Sequence, residues 1–345
     1  MKANAIALAR KFKTQFEELQ QQNQFAQIAQ LITCSLQLIP SEYNQQIFGY
    51  IPGIFRQVKL DASQIQTADI FIGEPVIYQV FYPDKQDLYG ISYFYIFCYF
   101  KENSSQLNVY FQSAHPAYEK LSIDQYDLNQ SKISFEGSVS AFSPDNISVI
   151  SVSDPGHFVP GFTSSYYVGS VDLNFNQLVA KVLENICRLA DIKLKNTMLF
   201  GSSAGTFGAL LTSTYLTQKT NVLAVNSQIN IHYRNRLMEK ILGIGQPKKL
   251  LEEFGDRVSC IHRFQQDVCS VPNVYILANV NDNLYQRNLK FYQLYLSKYT
   301  GKGINNQSVF DSYYGVEGHG RPEPNSLRRK IQIAREVLTM NSTLE

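Results

Sequence analysis

Residues 199–210 read Leu-Phe-Gly-Ser-Ser-Ala-Gly-Thr-Phe-Gly-Ala-Leu, and Gly201-Ser202-Ser203-Ala204-Gly205 fits the pattern G-x-S-x-G. A serine hydroxyl attacks an acyl carbon only when a base takes its proton and its oxygen stands clear of the chain. A sharp strand-to-helix turn supplies the second condition. It forces the serine into a strained backbone conformation, and glycines on both sides avoid collisions with neighbouring elements. The turn also aims a helix N-terminus at the reacting oxygen, where it favours developing negative charge. The alternative is a turn of small residues without chemistry. Against it stand a β-type tetrapeptide before the motif, Thr197 to Phe200, and a predicted helix after it, from about Ala204 to Gln218.

The base must come from five histidines: His115, His157, His232, His262 and His319. Serine enzymes built on a strand–turn–helix elbow run in the order nucleophile, acid, histidine. His319 sits in Gly315-Val316-Glu317-Gly318-His319-Gly320, after the last predicted strand and before the last helix, where a glycine-flanked loop brings an imidazole to a sheet edge. His232 and His262 follow the wrong element. Asp282 is the first acid after the predicted strand Val274 to Ala278. Its expected role is to accept the Nδ1 hydrogen of His319 and stabilise the imidazolium. The alternative is a turn residue in Asn281-Asp282-Asn283, with Asp311 and Glu317 as fallback acids.

The oxyanion hole should use the backbone N–H of Ala204 and a second donor from an earlier loop. Ser113-Ala114-His115-Pro116, after the predicted strand Leu107 to Gln112, is the candidate loop: Ala114 or His115 donates, and Ser113 meets substrate. Asp154-Pro155-Gly156-His157 follows the strand Ile147 to Val152 and ends at the same edge, so Asp154 and His157 are expected in the acceptor pocket. A plain turn is the alternative.

These groups need a scaffold that brings strand ends together. Pro75 to Tyr82 and Ile91 to Phe100 read as an early antiparallel pair, with turn signals at Pro83-Asp84-Lys85 and Tyr89-Gly90. Phe175, Leu178, Val179, Val182, Leu183, Ile186 and Leu189 form one apolar helical stripe. Leu327, Ile331, Ala334 and Leu338 form another in the last helix. Strand–helix alternation of this kind predicts an α/β fold, a mainly parallel central sheet with helices on both faces, over residues 66–345. Residues 1–65, rich in Gln and Ala with spaced apolar residues, read as a helical N-terminal extension, packed on the main domain or serving as a partner-binding or homo-oligomerisation arm. Residues 232–272 are polar and helical in pattern, a lid-like insertion after the first strand that follows Ser203.

Composition sets outer bounds. In 345 residues, 44% are hydrophobic and 17% charged, which supports a substantial core and argues against disorder. A net charge of +2 gives no electrostatic case for nucleic-acid binding. Cys34, Cys98, Cys187, Cys260 and Cys269 contain no C-x-x-C pair, so no metal site is expected; Cys260 and Cys269 could pair in an oxidising compartment, with buried free thiols the blander reading. The first residues carry early charges and too short an apolar run for a signal peptide. Ile91 to Phe100 is about half the roughly 20 residues a membrane-spanning helix needs. The expected location is the cytoplasm.

On Gly201 to Gly205, Asp282 and His319, the sequence resembles the α/β-hydrolase superfamily over roughly residues 70–340. The Ser-Ala-His-Pro loop, the Ser-Asp-Pro-Gly segment and the elbow also resemble bacterial capsular polysaccharide biosynthesis proteins and accessory-secretion glycan O-acetyltransferases. That resemblance implies an O-acetyltransferase moving an acetyl group from acetyl-CoA as cosubstrate to sugar hydroxyls of a capsular or surface polysaccharide. No bound cofactor is implied, and peripheral association with membrane glycan-assembly machinery is. Two other functions compete: a carbohydrate or small-molecule carboxylesterase or deacetylase, and a non-catalytic scaffold of a glycan-assembly complex. Lys240, Lys248, Lys249, Glu252 and Glu253 crowd the insertion and argue against a lipase lid.

Overall fold

The computed structural model describes residues 2–38, 54–82, 92–114, 135–158, 162–266, 271–296 and 307–339. Nine strands among them form one sheet: β1 (Arg56–Asp61), β2 (Pro75–Phe81), β3 (Tyr93–Tyr99), β4 (Gln106–Phe111), β5 (Ile147–Val152), β6 (Thr197–Ser202), β7 (Asn221–Val225), β8 (Asn273–Asn279) and β9 (Val309–Tyr313). Their order is β1-β2-β3-β5-β4-β6-β7-β8-β9. β3 is antiparallel to both of its neighbours and every other pair is parallel. Successive strand residues point to opposite faces, and all six residues of β6 and all five of β7 are buried. Both faces of the central sheet are therefore covered, which explains why these strands read as unbroken apolar runs rather than alternating ones. The mixed, mainly parallel sheet wrapped by helices and the elbow at Ser203 make this an α/β-hydrolase architecture.

The helix α3 (Phe175–Leu189) starts at Asn174, whose side-chain oxygen accepts the Gln177 N–H at 3.2 Å, and buries Phe175, Val179, Val182, Leu183 and Ile186. The elbow helix α4 (Ala204–Tyr215) is buried from Ala204 to Thr214, in keeping with its lack of charge. The final helix, named α9 here (Pro324–Thr339), buries Ala334 and Leu338 as the stripe predicted.

At the N-terminus, α1 (Lys2–Gln21) and α2 (Phe25–Leu38) bury Phe12, Phe16, Phe25, Ile28 and Ile32 in the common core, so the arm packs on the body. One boundary is corrected. The stretch 1–65 is not wholly helical, because Arg56–Asp61 forms the edge strand β1 and pairs in parallel with β2. Arg56 anchors it, donating to Glu74 at 2.7 Å beneath the Phe25 and Phe71 rings.

The insertion is three helices, α5 (Asn235–Leu242), α6 (Pro247–Val258) and α7 (Cys260–Phe264). Two buried arginines fasten it. Arg257 donates to the carbonyls of Val168 (2.8 Å) and Leu173 (2.9 Å), and Arg263 donates to Thr214 Oγ1 (2.9 Å) and stacks on Tyr215. These contacts tie the segment to the residues that precede α3 and to α4. α8 (Tyr285–Phe291) follows β8. Among the described residues no helix is long and apolar enough to cross a membrane, and no cluster of three His, Cys, Asp or Glu side chains could hold a metal. Cys98 and Cys187 are buried free thiols and Cys260 is buried; Cys269 and the turn signals of 83–90 lie outside the described residues.

Candidate active site

β4 to β9 are parallel, so their carboxyl ends converge on one edge, and the loops after β6, β8 and β9 carry Ser203, Asp282 and His319. Ser203 has φ 52° and ψ −118°, a conformation L-residues rarely adopt. Its N–H donates to Val225 O at 3.0 Å, pinning the elbow to β7. The flanking glycines are required by contact. A Cβ on Gly201 would lie 2.4 Å from the Gly205 backbone, and one on Gly205 would lie 2.3 Å from Phe111 O.

His319 Nε2 lies 2.7 Å from Ser203 Oγ, and its Nδ1 lies 2.8 Å from Asp282 Oδ2. A carboxylate only accepts, so Nδ1 carries the hydrogen and Nε2 is left to accept the serine proton. The Asp282 side chain is 1% exposed, and its other oxygen accepts the Leu284 N–H at 2.9 Å. His319 is 42% exposed. The fallback acids are elsewhere: Asp311 pairs with Lys330 and Tyr275, and Glu317 contributes its backbone oxygen to Asn279 and Gly320. Ala204, fully buried, opens α4, where first-turn N–H groups have no intrahelical acceptor.

Three asparagines that sequence reading passed over hold this geometry. Buried Asn279, last in β8, donates to the carbonyls of Gly315, Glu317 and Gly318 at 3.2, 2.9 and 3.0 Å and accepts from Gly315 N, tying down the loop that bears His319. Asn226, at φ 47°, donates to Gly320 O (2.9 Å) and Tyr313 Oη (2.7 Å). Asn288, on α8, pairs with both backbone groups of Ser227 at 3.1 Å. For Asn226 and Asn279 the available signal was a polar residue at the end of an apolar strand; Asn288, inside α8, offers none.

Gln228 was missed as well. It follows β7, is 7% exposed, and donates from Nε2 to Ser203 Oγ at 3.0 Å.

Two expected pocket residues are not in the pocket. Asp154 is fully buried and accepts from the N–H groups of Gly156 (2.8 Å), Ser165 (2.9 Å) and Tyr166 (3.1 Å) and from the Ser164 and Ser165 hydroxyls. It organises a loop in which Tyr166 and Tyr167 both have positive φ. His157 is also buried, its Nε2 2.7 Å from Thr163 O. A carboxyl group at that depth requires hydrogen-bond partners, and these five donors supply them inside the protein. Half-buried Ser113 joins a network at the elbow. Its N–H donates to Glu136 (2.9 Å), its Oγ lies 2.7 Å from Ser202 O, and Arg321 donates to it at 2.6 Å while pairing with Glu136. Ala114 is half-buried at the same strand end, and His115 lies outside the described residues.

A cavity of about 410 Å³ begins at Gln228 and is lined by Ser227, His232, Tyr233, Arg287 and Lys290 among others, with no acidic residue among the described residues of its wall. A larger one, about 880 Å³, lies between residues 136–149 and α9; neither cavity has Ser203 or His319 in its lining.

No protein-family model matches the chain, and no curated protein matches it by sequence. Solved structures do. The capsule O-acetyltransferase of Neisseria meningitidis serogroup A is similar at 12% identity and a TM-score of 0.48, covering 70% of this chain and 91% of its own. The esterase Est2 of Thermogutta terrifontis is similar at 13% and 0.48, covering 74% and 90%. The Gap123 glycosylation-associated complex of Streptococcus agalactiae is similar at 16% and 0.45, covering 73% and 45%.

Proposed function

We propose that this chain is a serine-dependent acyl-transfer enzyme and that Ser203 is its nucleophile. The observation that carries the reading is the continuous bonded chain from Ser203 Oγ through His319 to Asp282. Ser203 Oγ attacks the acyl carbon as its proton passes to His319 Nε2. Asp282 stabilises the resulting imidazolium. The tetrahedral oxyanion is received by the Ala204 N–H and a second donor at the 113–115 loop. Collapse expels the donor's leaving group, which takes the proton from His319 and leaves an acyl-Ser203 ester.

The acceptor that releases the acyl group sets the physiological outcome. We propose that it is a hydroxyl of a capsular or surface polysaccharide, with acetyl-CoA as donor, in line with the resemblance of the elbow and its companion loops. The 410 Å³ cavity beside Gln228 offers room for one sugar unit, aromatic surface from Tyr233, and cationic side chains for a charged substrate. Ester hydrolysis is the second reading, favoured by the 42% exposure of His319, which admits water to the same position.

The test is incubation with acetyl-CoA, with and without capsular oligosaccharides, followed by intact mass and peptide mapping. The proposal expects a 42 Da acetyl adduct on Ser203, roughly the mass of one acyl group replacing a hydrogen, that is discharged onto glycan. An adduct discharged only to water selects the esterase, and no adduct from any acyl donor rejects the acyl-enzyme.

A further inference from the structure

The side chain of Gln228 touches the reacting oxygen itself. Its Nε2 lies 3.0 Å from Ser203 Oγ, and its Oε1 accepts from Arg234 Nη2 at 2.9 Å. Arginine has no acceptor, so the oxygen of the amide must face Arg234 and the NH₂ must face Ser203. Arg234 is itself seated over the Tyr166 ring, 5.0 Å from its centroid. Burial pushes the Tyr166 phenol up to about 12, against the downward pull of Arg234, so the ring stays neutral beneath the guanidinium. The backbone just before Gln228 is clamped by Asn288 on both its N–H and its carbonyl. Backbone, amide orientation and orienting cation are thus each fixed by a separate contact.

We infer that Gln228 is a further catalytic residue of this site, an amide donor to Ser203 Oγ whose direction Arg234 sets. The inference rests on Ser203 being the nucleophile. In the resting site the Ser203 O–H donates to His319 Nε2 while Oγ accepts from Gln228. During attack Oγ loses its proton to His319 and forms the bond to the acyl carbon. In the return step the acceptor's O–H gives its proton to His319, the acceptor oxygen bonds to the acyl carbon, and the C–Oγ bond breaks. The electron pair returns to Oγ, which recovers the proton from His319. Negative charge builds on Oγ in both directions, and the Gln228 N–H meets it each time.

The experiment measures the burst and steady-state rates with p-nitrophenyl acetate, and labelling by a fluorophosphonate, for wild type, Gln228→Leu, Gln228→Glu, Arg234→Leu and the Gln228→Leu/Arg234→Leu double variant. Loss of one hydrogen bond to a charging oxygen should slow Gln228→Leu acylation about 10- to 100-fold, with KM nearly unchanged. Gln228→Glu keeps the shape and loses the donor. It should be at least as slow, and its acid limb should move to higher pH because a carboxylate beside Oγ stabilises the imidazolium. Arg234→Leu frees the amide to turn and should slow the reaction in the wild-type background but not in Gln228→Leu. Wild-type acylation in both Gln228 variants, or an Arg234 effect undiminished in Gln228→Leu, overturns the inference while leaving Ser203 in place. An unlabelled wild-type Ser203 overturns both.

Discussion

Asp282 and His319 are 37 positions apart in the chain and meet at 2.8 Å, Oδ2 to Nδ1. The carboxylate is buried and the imidazole half-exposed, and the pair holds one tautomer that leaves Nε2 to accept from Ser203 Oγ. Asp282→Asn keeps the shape and turns a donor toward Nδ1. The expected result is a fall in kcat of about 10³- to 10⁴-fold, read by steady-state ester hydrolysis, with the melting temperature little changed.

The elbow tolerates no side chain at Gly205. Its Cβ would stand 2.3 Å from Phe111 O, a backbone atom that cannot rotate away. Gly205→Ala should therefore cost about 1–3 kcal/mol in urea denaturation and displace Ser203 enough to abolish the acylation burst.

Asn279 ties the His319 loop to β8 through three carbonyls. Asn279→Ala leaves those oxygens without their donor, at a cost of about 1–3 kcal/mol in stability. Hydrogen exchange should accelerate at the Gly315 amide, which Asn279 also accepts, and kcat should fall about tenfold or more as His319 loses its position.

His232, in the wall of the 410 Å³ cavity, is depressed below the usual histidine range by burial and then by the neighbouring His262. The folded chain therefore binds its proton less readily than the unfolded chain. That contribution is fully present above the unfolded value, about 6.5, and is lost as the pH falls below it. Replacing His232 by Gln should shrink the drop in unfolding free energy between pH 8 and pH 5, measured by urea titration at each pH.

How far the sequence disclosed this arrangement depends on how local each constraint is. The elbow was legible because its motif is contiguous and Gly201 answers to the Gly205 backbone four residues on, and Asp282 and His319 because strand order places them at one sheet edge. Asp154 and His157 misled for that same reason. Their strand ends at the same edge, but Asp154 folds inward to gather the 164–166 backbone. β1 stayed hidden because Arg-Gln-Val-Lys-Leu-Asp buries only Leu60, as an edge strand does. Gln228 and Asn288 carry no local signature, and Asn226 and Asn279 show only as polar residues at the ends of apolar strands, since what they hold lies on other strands and loops. Gln228 means something only once Arg234 and Ser203 are seen on either side of it.

The central claim is that Ser203 is a nucleophile activated by His319. Its most direct test is fluorophosphonate labelling of the full chain, with the adduct located by peptide mass spectrometry. One adduct per chain is expected, on the peptide containing Ser203. It should be absent in Ser203→Ala and slowed by orders of magnitude in His319→Ala. An unlabelled wild type, or an adduct that persists in Ser203→Ala, would contradict the account.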